Sequence, residues 1–181
     1  MQPAIFLDRD GVIIENCTDY VRSWNDVLLY DHSLPALEKI SHSPYKIVIV
    51  TNQSAVGRGI LPLRTAQDIN HKLVKVVKNA GGRIDGVFMC PHAPEDQCAC
   101  RKPKPGLLFK AAQALAIDLS RSIMIGDATT DLLAGQAAGV MTRILLMSGR
   151  GREQYSIASS MHLEPFLVYE TLADAVQNLY P

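Results

Sequence analysis

The chain has 181 residues, 48% of them hydrophobic, enough for one buried core and too few for two full-sized domains. Its 18 basic and 18 acidic residues cancel, so no overall field selects nucleic acid or a membrane surface, and an anionic ligand must be held by local groups. No basic segment precedes the first apolar run and Asp8 interrupts that run, which fits neither a signal peptide nor a membrane span; the expectation is a cytoplasmic protein, monomeric given the balanced charge and lack of heptads.

Residues 4–7 are a predicted strand, and Asp8-Arg9-Asp10-Gly11 follows it directly. Ser33-Leu34-Pro35 sets Pro in the first turn of a helix whose buried stripe is Leu34, Leu37 and Ile40 or Ser41. Residues 46–51 are the second strand, ending at Thr51-Asn52, and 63–80 the longest helix, closed by Gly81-Gly82. The third strand, 84–89, runs into a cysteine-bearing loop and then Arg101-Lys102. Pro105-Gly106 opens a helix over 107–116, the fourth strand at 122–125 ends on Gly126-Asp127, and 129–138 is a helix of small residues. A fifth strand at 142–147 precedes residues 148–160, polar and glycine-bearing, expected to be the most mobile loop; a helix at 172–179 closes the fold.

Continuous apolar strands alternating with helices predict an α/β fold: a Rossmann-like three-layer sandwich with a mainly parallel central sheet, one domain over 1–181. The insertions at 16–31 and 90–105 are loops only, so no separate cap domain is expected and the crevice should be open.

Polar residues that follow strands in such a sheet share one crevice. Asp8, Asp10 and Asp127 concentrate negative charge that a hard divalent cation such as Mg²⁺ would neutralise. Asp8 could then attack phosphorus and form a phosphoaspartate. Asp10, crowded by like charge, is expected to hold its proton more readily than Asp8, to protonate the leaving alcohol and later to activate water. Thr51 offers a hydroxyl and Lys102 a positive charge for the phosphoryl oxygens.

Cys90, His92, Cys98 and Cys100 form a complete tetrahedral set for Zn²⁺ with no position left for substrate, which makes that site structural. The loop has little apolar area of its own, so metal would supply its order and make a zinc-stabilised loop after the third strand. The alternatives are unligated thiols or a strained disulfide across Cys98-Ala99-Cys100. Cys17 stands apart, read as a partly buried thiol. The loop runs straight into Arg101 and Lys102, so ordering it would aim both at phosphate.

Asp8-Arg9-Asp10-Gly11, Thr51-Asn52-Gln53-Ser54, Lys102 and Gly126-Asp127-Ala128-Thr129-Thr130-Asp131 resemble, in order, the four motifs of the haloacid dehalogenase superfamily. The resemblance implies Mg²⁺ dependence, Asp8 as nucleophile, Asp10 binding metal through its backbone carbonyl and Asp127 as the remaining protein ligand. Asp131 either braces the metal shell or is a charge in the first turn of a helix. Cys-x-His followed by Cys-x-Cys-Arg-Lys-Pro resembles the zinc-containing branch of D-glycero-D-manno-heptose-1,7-bisphosphate 7-phosphatases and histidinol-phosphate phosphatases. Asp19-Tyr20-Val21, and Asn52, Gln53 and Ser54 followed by Gly57-Arg58-Gly59, resemble the substrate loops of the heptose enzymes, with Arg101 gripping phosphate. A short zinc loop and Ala55 lean the other way, and Arg22 and Arg58 divide evenly between ligand contact and solvated charge. The implied partner is a small phosphorylated metabolite, the heptose bisphosphate ahead of histidinol phosphate, with no nucleic acid or membrane. A non-catalytic phosphate-binding or phosphoacceptor module is the alternative class; Asp10 and Lys102 argue against it.

Overall fold

Six apolar runs form one parallel sheet in the computed structural model, which describes residues 1–163 and 165–179. The strands are β1 (Ala4–Leu7), β2 (Lys46–Asn52), β3 (Gly86–Cys90), β4 (Ile123–Gly126), β5 (Thr142–Leu146) and β6 (Leu167–Tyr169). Their order is β3-β2-β1-β4-β5-β6, every pairing parallel. All residues of the central strands β1 and β4 are buried, as strands covered on both faces require.

The period of two along β1 divides the core. Ile5 and Leu7 face a cluster with Leu37 and Ile40 of α1 (Ser33–Ser41), Ile69 and Leu73 of α3 (Leu63–Asn79) and Val176 of α7 (Leu172–Leu179). Ala4 and Phe6 face the opposite cluster, with Leu107, Leu108 and Ala111 of α4 (Gly106–Leu115) and Ala134 of α5 (Thr129–Ala137). Each large aliphatic side chain buried this way contributes about 1.5–3 kcal/mol relative to exposure. No helix among the described residues is long and apolar enough to cross a membrane.

Three elements differ from the sequence expectation. Residues 148–160 are not an extended mobile loop: after a short bend they form α6 (Gly151–Ser160), whose Ala158 is buried with Leu132 and Leu145. Gln154 fastens this helix to the start of α5, its Oε1 accepting from the backbone N (3.1 Å) and Oγ1 (2.9 Å) of Thr129. The sequence signal was too polar to show a helix whose buried apolar contact is the single small side chain of Ala158, helped by Gln154, a Tyr155–Phe166 ring contact and an Arg152–Glu170 pair. The sixth strand, β6, was not expected; it has three residues and completes the sheet edge beside β5. A single helical turn, α2 (Ser54–Gly57), occupies what read as a loop.

β1 to β3 wind toward one edge of the sheet and β4 to β6 toward the other. The reversal falls between β1 and β4, so the chain leaves their carboxyl ends in opposite directions and opens a crevice there. The segments after β1 and β3 carry only the short turns Trp24–Asp26 and Pro94–Asp96, and no cap domain stands over the crevice.

Candidate active site

The β1–β4 pairing carries Asp8 into that crevice, its backbone N donating to the Ile125 carbonyl at 3.0 Å. Asp8 Oδ1 accepts from the Arg9 backbone N (2.7 Å) and lies 3.0 Å from Lys102 Nζ. Lys102 is buried, donating from Nζ to the Val50 carbonyl at 2.8 Å and pairing with Asp131 Oδ1 at 2.6 Å. Burial would draw its ammonium down, but Asp131 and Asp8 reverse the effect and push it up to about 12. The lysine therefore stays charged between two carboxylates.

Burial also dominates at Asp8 and raises it to about 8; Lys102 opposes the shift while Asp131, Asp127 and Asp10 reinforce it. A carboxylate so placed is a poor nucleophile until further positive charge arrives. Asp127 indicates where such charge fits. Its Oδ2 accepts from Asn16 Nδ2 (2.7 Å) and from the Arg150 backbone N (2.9 Å), whereas Oδ1 is buried without a hydrogen-bond partner. Carboxylate oxygens of Asp8, Asp127 and Asp131 lie within 4.8 Å of one another. An orphaned buried oxygen among hard acidic donors fits Mg²⁺. Gly11, at φ +82°, is required here: a Cβ would collide with the Asp127 carboxylate.

Asp10 belongs to a different network. Its carboxylate receives Arg9 Nε (3.1 Å) and Nη2 (3.0 Å) as a fork, and Gln53 Nε2 at 2.9 Å. Arg9 is itself buried and tied to Asn70 Oδ1 of α3 at 2.9 Å. This corrects the expected crowding of Asp10 by like charge: the acids crowd Asp8, while the Arg9 guanidinium meets Asp10. Thr51 also differs from expectation. It is buried, accepting from Gln53 Nε2 (2.9 Å) and directing its hydroxyl to Asp10 at 3.4 Å rather than into the crevice.

The cysteine cluster lies at the β3 end. Sγ of Cys90, Cys98 and Cys100 and Nδ1 of His92 approach one another at 3.3–3.6 Å, and the cysteines are free. A tetrahedral ion with sulfur bonds of about 2.3 Å separates its sulfurs by roughly 3.8 Å, so the four donors already outline such a site. Burial pushes Cys90 up to about 12; Cys98, where burial acts in the same direction, is drawn down to about 6 by hydrogen bonds from Cys100, the Arg101 backbone and Cys90. One thiolate is thus favoured even before an ion is present.

A family model described as HAD-hyrolase-like matches residues 99–175. The D-glycero-beta-D-manno-heptose-1,7-bisphosphate 7-phosphatase of Bordetella bronchiseptica is 35% identical over 175 residues, covering 97% of this chain and 96% of its own length. The enzyme of the same name from Helicobacter pylori strain J99 is 40% identical over 144 residues, 79% of this chain and 82% of its own. A crystal structure of D,D-heptose 1.7-bisphosphate phosphatase from B. bronchiseptica, complexed with magnesium and phosphate, aligns with a TM-score of 0.90 at 34% identity, covering 98% of this chain and 97% of that one. The chain belongs to this haloacid dehalogenase family of heptose-bisphosphate phosphatases.

The haloacid dehalogenase motifs read in the sequence meet at one crevice of about 480 Å³, bordered by Asp8, Asp10 and Lys102 with Tyr20, Val21, Gln53, Ser54 and Arg101. Three expected substrate residues lie outside its lining. Arg22 donates from Nε to the Asp19 carbonyl at 2.9 Å, and Arg58 pairs with exposed Glu95 at 3.1 Å. Asn52 borders the crevice but its amide is committed to the Lys102 backbone, accepting from N at 3.1 Å and donating to O at 3.0 Å. It positions the lysine. Asp131 lies in the first turn of α5, accepting from the Ala128 backbone N at 3.2 Å, and it also pairs with Lys102, a contact neither sequence reading included. Two residues of this haloacid dehalogenase site carried no sequence signal: Asn16, an ordinary loop amide, and Arg150, in a segment whose glycines read as flexibility.

Proposed function

We propose that this chain is a Mg²⁺-dependent phosphatase that removes the 7-phosphate of D-glycero-D-manno-heptose 1,7-bisphosphate through a phosphoaspartate on Asp8. The observation that carries the reading is the pairing of buried Asp8 with Lys102 beside an Asp127 oxygen that has no hydrogen-bond partner, in a chain aligned almost end to end with heptose-bisphosphate phosphatases.

Asp8, Asp127 and the Asp10 backbone carbonyl would hold Mg²⁺, which supplies the positive charge that keeps Asp8 ionised and neutralises phosphoryl oxygens. Asp8 attacks phosphorus, the bond from phosphorus to the sugar oxygen breaks, and the leaving oxygen takes a proton from Asp10. Asp10 then removes a proton from water, which attacks the phosphoaspartate, releases phosphate and restores Asp8. The Arg9 fork and Gln53 fix the Asp10 carboxyl group in one orientation for both transfers. Lys102, held charged, stabilises negative charge on the transferred group. Tyr20, Val21, Ser54 and Arg101 border the space for the rest of the sugar.

Cys90, His92, Cys98 and Cys100 would hold a structural Zn²⁺ in the same reading. The loop they order ends on Arg101, whose Nη1 donates to the His92 carbonyl at 3.2 Å, and on Lys102. Zinc thus acts on catalysis through placement of these two side chains. The protein is proposed to work as a cytoplasmic monomer of one domain on a small carbohydrate phosphate.

The test is kcat/KM across phosphate monoesters including both anomers of the heptose bisphosphate and histidinol phosphate. A preference of at least about 100-fold, near 2.7 kcal/mol, for a heptose bisphosphate is expected. A preference for histidinol phosphate would replace the substrate while leaving the chemistry intact; no Mg²⁺-dependent hydrolysis of any ester would remove both.

A further inference from the structure

Among the cations at the crevice, Arg150 is unlike the others in having a fixed backbone and a head held only by one long ion pair. Four hydrogen bonds hold its segment: Ser148 Oγ to the Gly11 carbonyl (2.7 Å), Ser148 N to the Glu170 carbonyl (3.1 Å), Gly149 N to Tyr30 Oη (3.1 Å) and Arg150 N to Asp127 Oδ2 (2.9 Å). Gly149 is pressed so closely onto the site that a Cβ there would collide with Asp127, Asn16 and Gly11. The side chain, by contrast, is 54% exposed and borders the crevice, and its Nη2 lies 3.6 Å from Asp127 Oδ1, just beyond hydrogen-bonding distance.

That oxygen is buried with no hydrogen-bond partner; Asp131 Oδ1, in the same position, has Lys102 Nζ at 2.6 Å, whereas Asp127 Oδ1 has only the guanidinium. A guanidinium beside it offsets charge without making the bond that would hold it in place. We infer that Arg150 is a displaceable counter-ion: it shields Asp127 while the divalent cation is absent, yields Oδ1 when the cation binds, and then turns into the crevice to engage the anionic ligand.

The argument is one of charge. Even with Asp8 neutral, Asp127 and Asp131 face a single buried cation, Lys102, so the metal-free cluster carries excess negative charge that Arg150 reduces. Once a divalent cation occupies the cluster, the guanidinium meets a like charge and moves outward on its long stem. Outward is the space bordered by Arg101 and Lys102, where a phosphate would lie. The same residue therefore opposes the metal and favours the anion. A residue that merely braced the loop would favour both or neither.

This inference rests on the proposed metal site but not on the identity of the substrate, and it can be tested without turnover. Mg²⁺ binding is measured by calorimetry on the full chain freed of divalent ions at the crevice, for the parent and for Arg150→Gln. Inorganic phosphate binding is then measured on the Mg²⁺-saturated proteins. Arg150→Gln is expected to bind Mg²⁺ about two- to fivefold more tightly, as loss of one partly exposed ion pair allows, and phosphate about fivefold more weakly. The Mg²⁺ difference should shrink as NaCl is raised from about 0.05 to 0.5 M.

Arg150→Lys, which keeps a cation on a flexible stem, should bind Mg²⁺ within about twofold of the parent. Unchanged or weaker Mg²⁺ binding in Arg150→Gln overturns the inference, as does a Lys variant that matches the Gln variant. Failure of the parent to bind Mg²⁺ at all would instead strike the proposed metal site.

Discussion

The chain has two clusters suited to cations, and they are supported in opposite ways. Asp8 and Asp127 follow β1 and β4, the two central strands, with every residue of both strands buried. The cysteine cluster hangs from the end of β3, an edge strand, and its loop contains only the turn Pro94–Asp96. In the first cluster the sheet brings like charges together and a cation relieves the cost. In the second, four soft donors converge in a loop otherwise held by a few exposed polar contacts, so a cation there would add order. The proposed function joins the two, because Lys102 lies at the end of the cysteine loop and reaches into the sheet-ordered site.

The largest effect expected from breaking this pair is at the sheet end. Asp8→Asn removes the nucleophile and should lower kcat by at least about 10⁴-fold. It also removes a carboxyl group that burial makes costly to ionise, so the unfolding midpoint should not fall. Purified Asp8→Asn with undiminished Mg²⁺-dependent hydrolysis would end the phosphoaspartate reading. The cysteine cluster should respond in the opposite sense, through structure first. Elemental analysis should find about one zinc per chain. Stripping it, or Cys100→Ala, should lower the unfolding midpoint and raise proteolysis within residues 90–100, with kcat lost by roughly 10- to 100-fold as Arg101 and Lys102 lose their positions. A zinc-free protein of unchanged midpoint and activity would leave the loop without its proposed purpose.

The two regions were also unequally legible in sequence. β1, β4 and their following aspartates stand out because a continuous apolar run ending in a carboxylate is rare and local. The cysteine set is legible from spacing alone. What could not be read were contacts made across the fold by ordinary residues. Arg9 lies between two conspicuous aspartates, yet its buried fork on Asp10 depends on Asn70, sixty-one positions away. Residues 148–160 read as loop because polarity and glycine mark flexibility on average, whereas here Gly149 is demanded by close approach to Asp127. Asn52 looked like a substrate contact because it lies in a motif; its two bonds to Lys102 are visible only once β2 and the loop after β3 are side by side.

Asn52 therefore links the two regions, and Asn52→Ala sharpens the comparison at smaller amplitude. It removes two backbone hydrogen bonds that fix Lys102, each worth about 0.5–1.5 kcal/mol, so kcat should fall by roughly tenfold. KM should change little, since the amide is spent on the lysine. A variant in which KM rises and kcat holds would make Asn52 a substrate contact after all.

The smallest effect distinguishes a site built in strain from one built in order. Asp8, raised to about 8 by burial, is neutral in the folded metal-free protein while the unfolded chain ionises in the ordinary carboxylate range. Its contribution to stability is full below that range and is lost as pH rises toward 8. Zinc-replete protein without Mg²⁺ should accordingly lose a few degrees of unfolding midpoint between pH 5.5 and 8 from this group. Mg²⁺, which requires the ionised form, should restore more at pH 8 than at 5.5. Asp8→Asn provides the control, because it removes the titration without touching the cysteine loop. If parent and variant share one pH profile, Asp8 carries no buried penalty, and the contrast between the two clusters loses its electrostatic half.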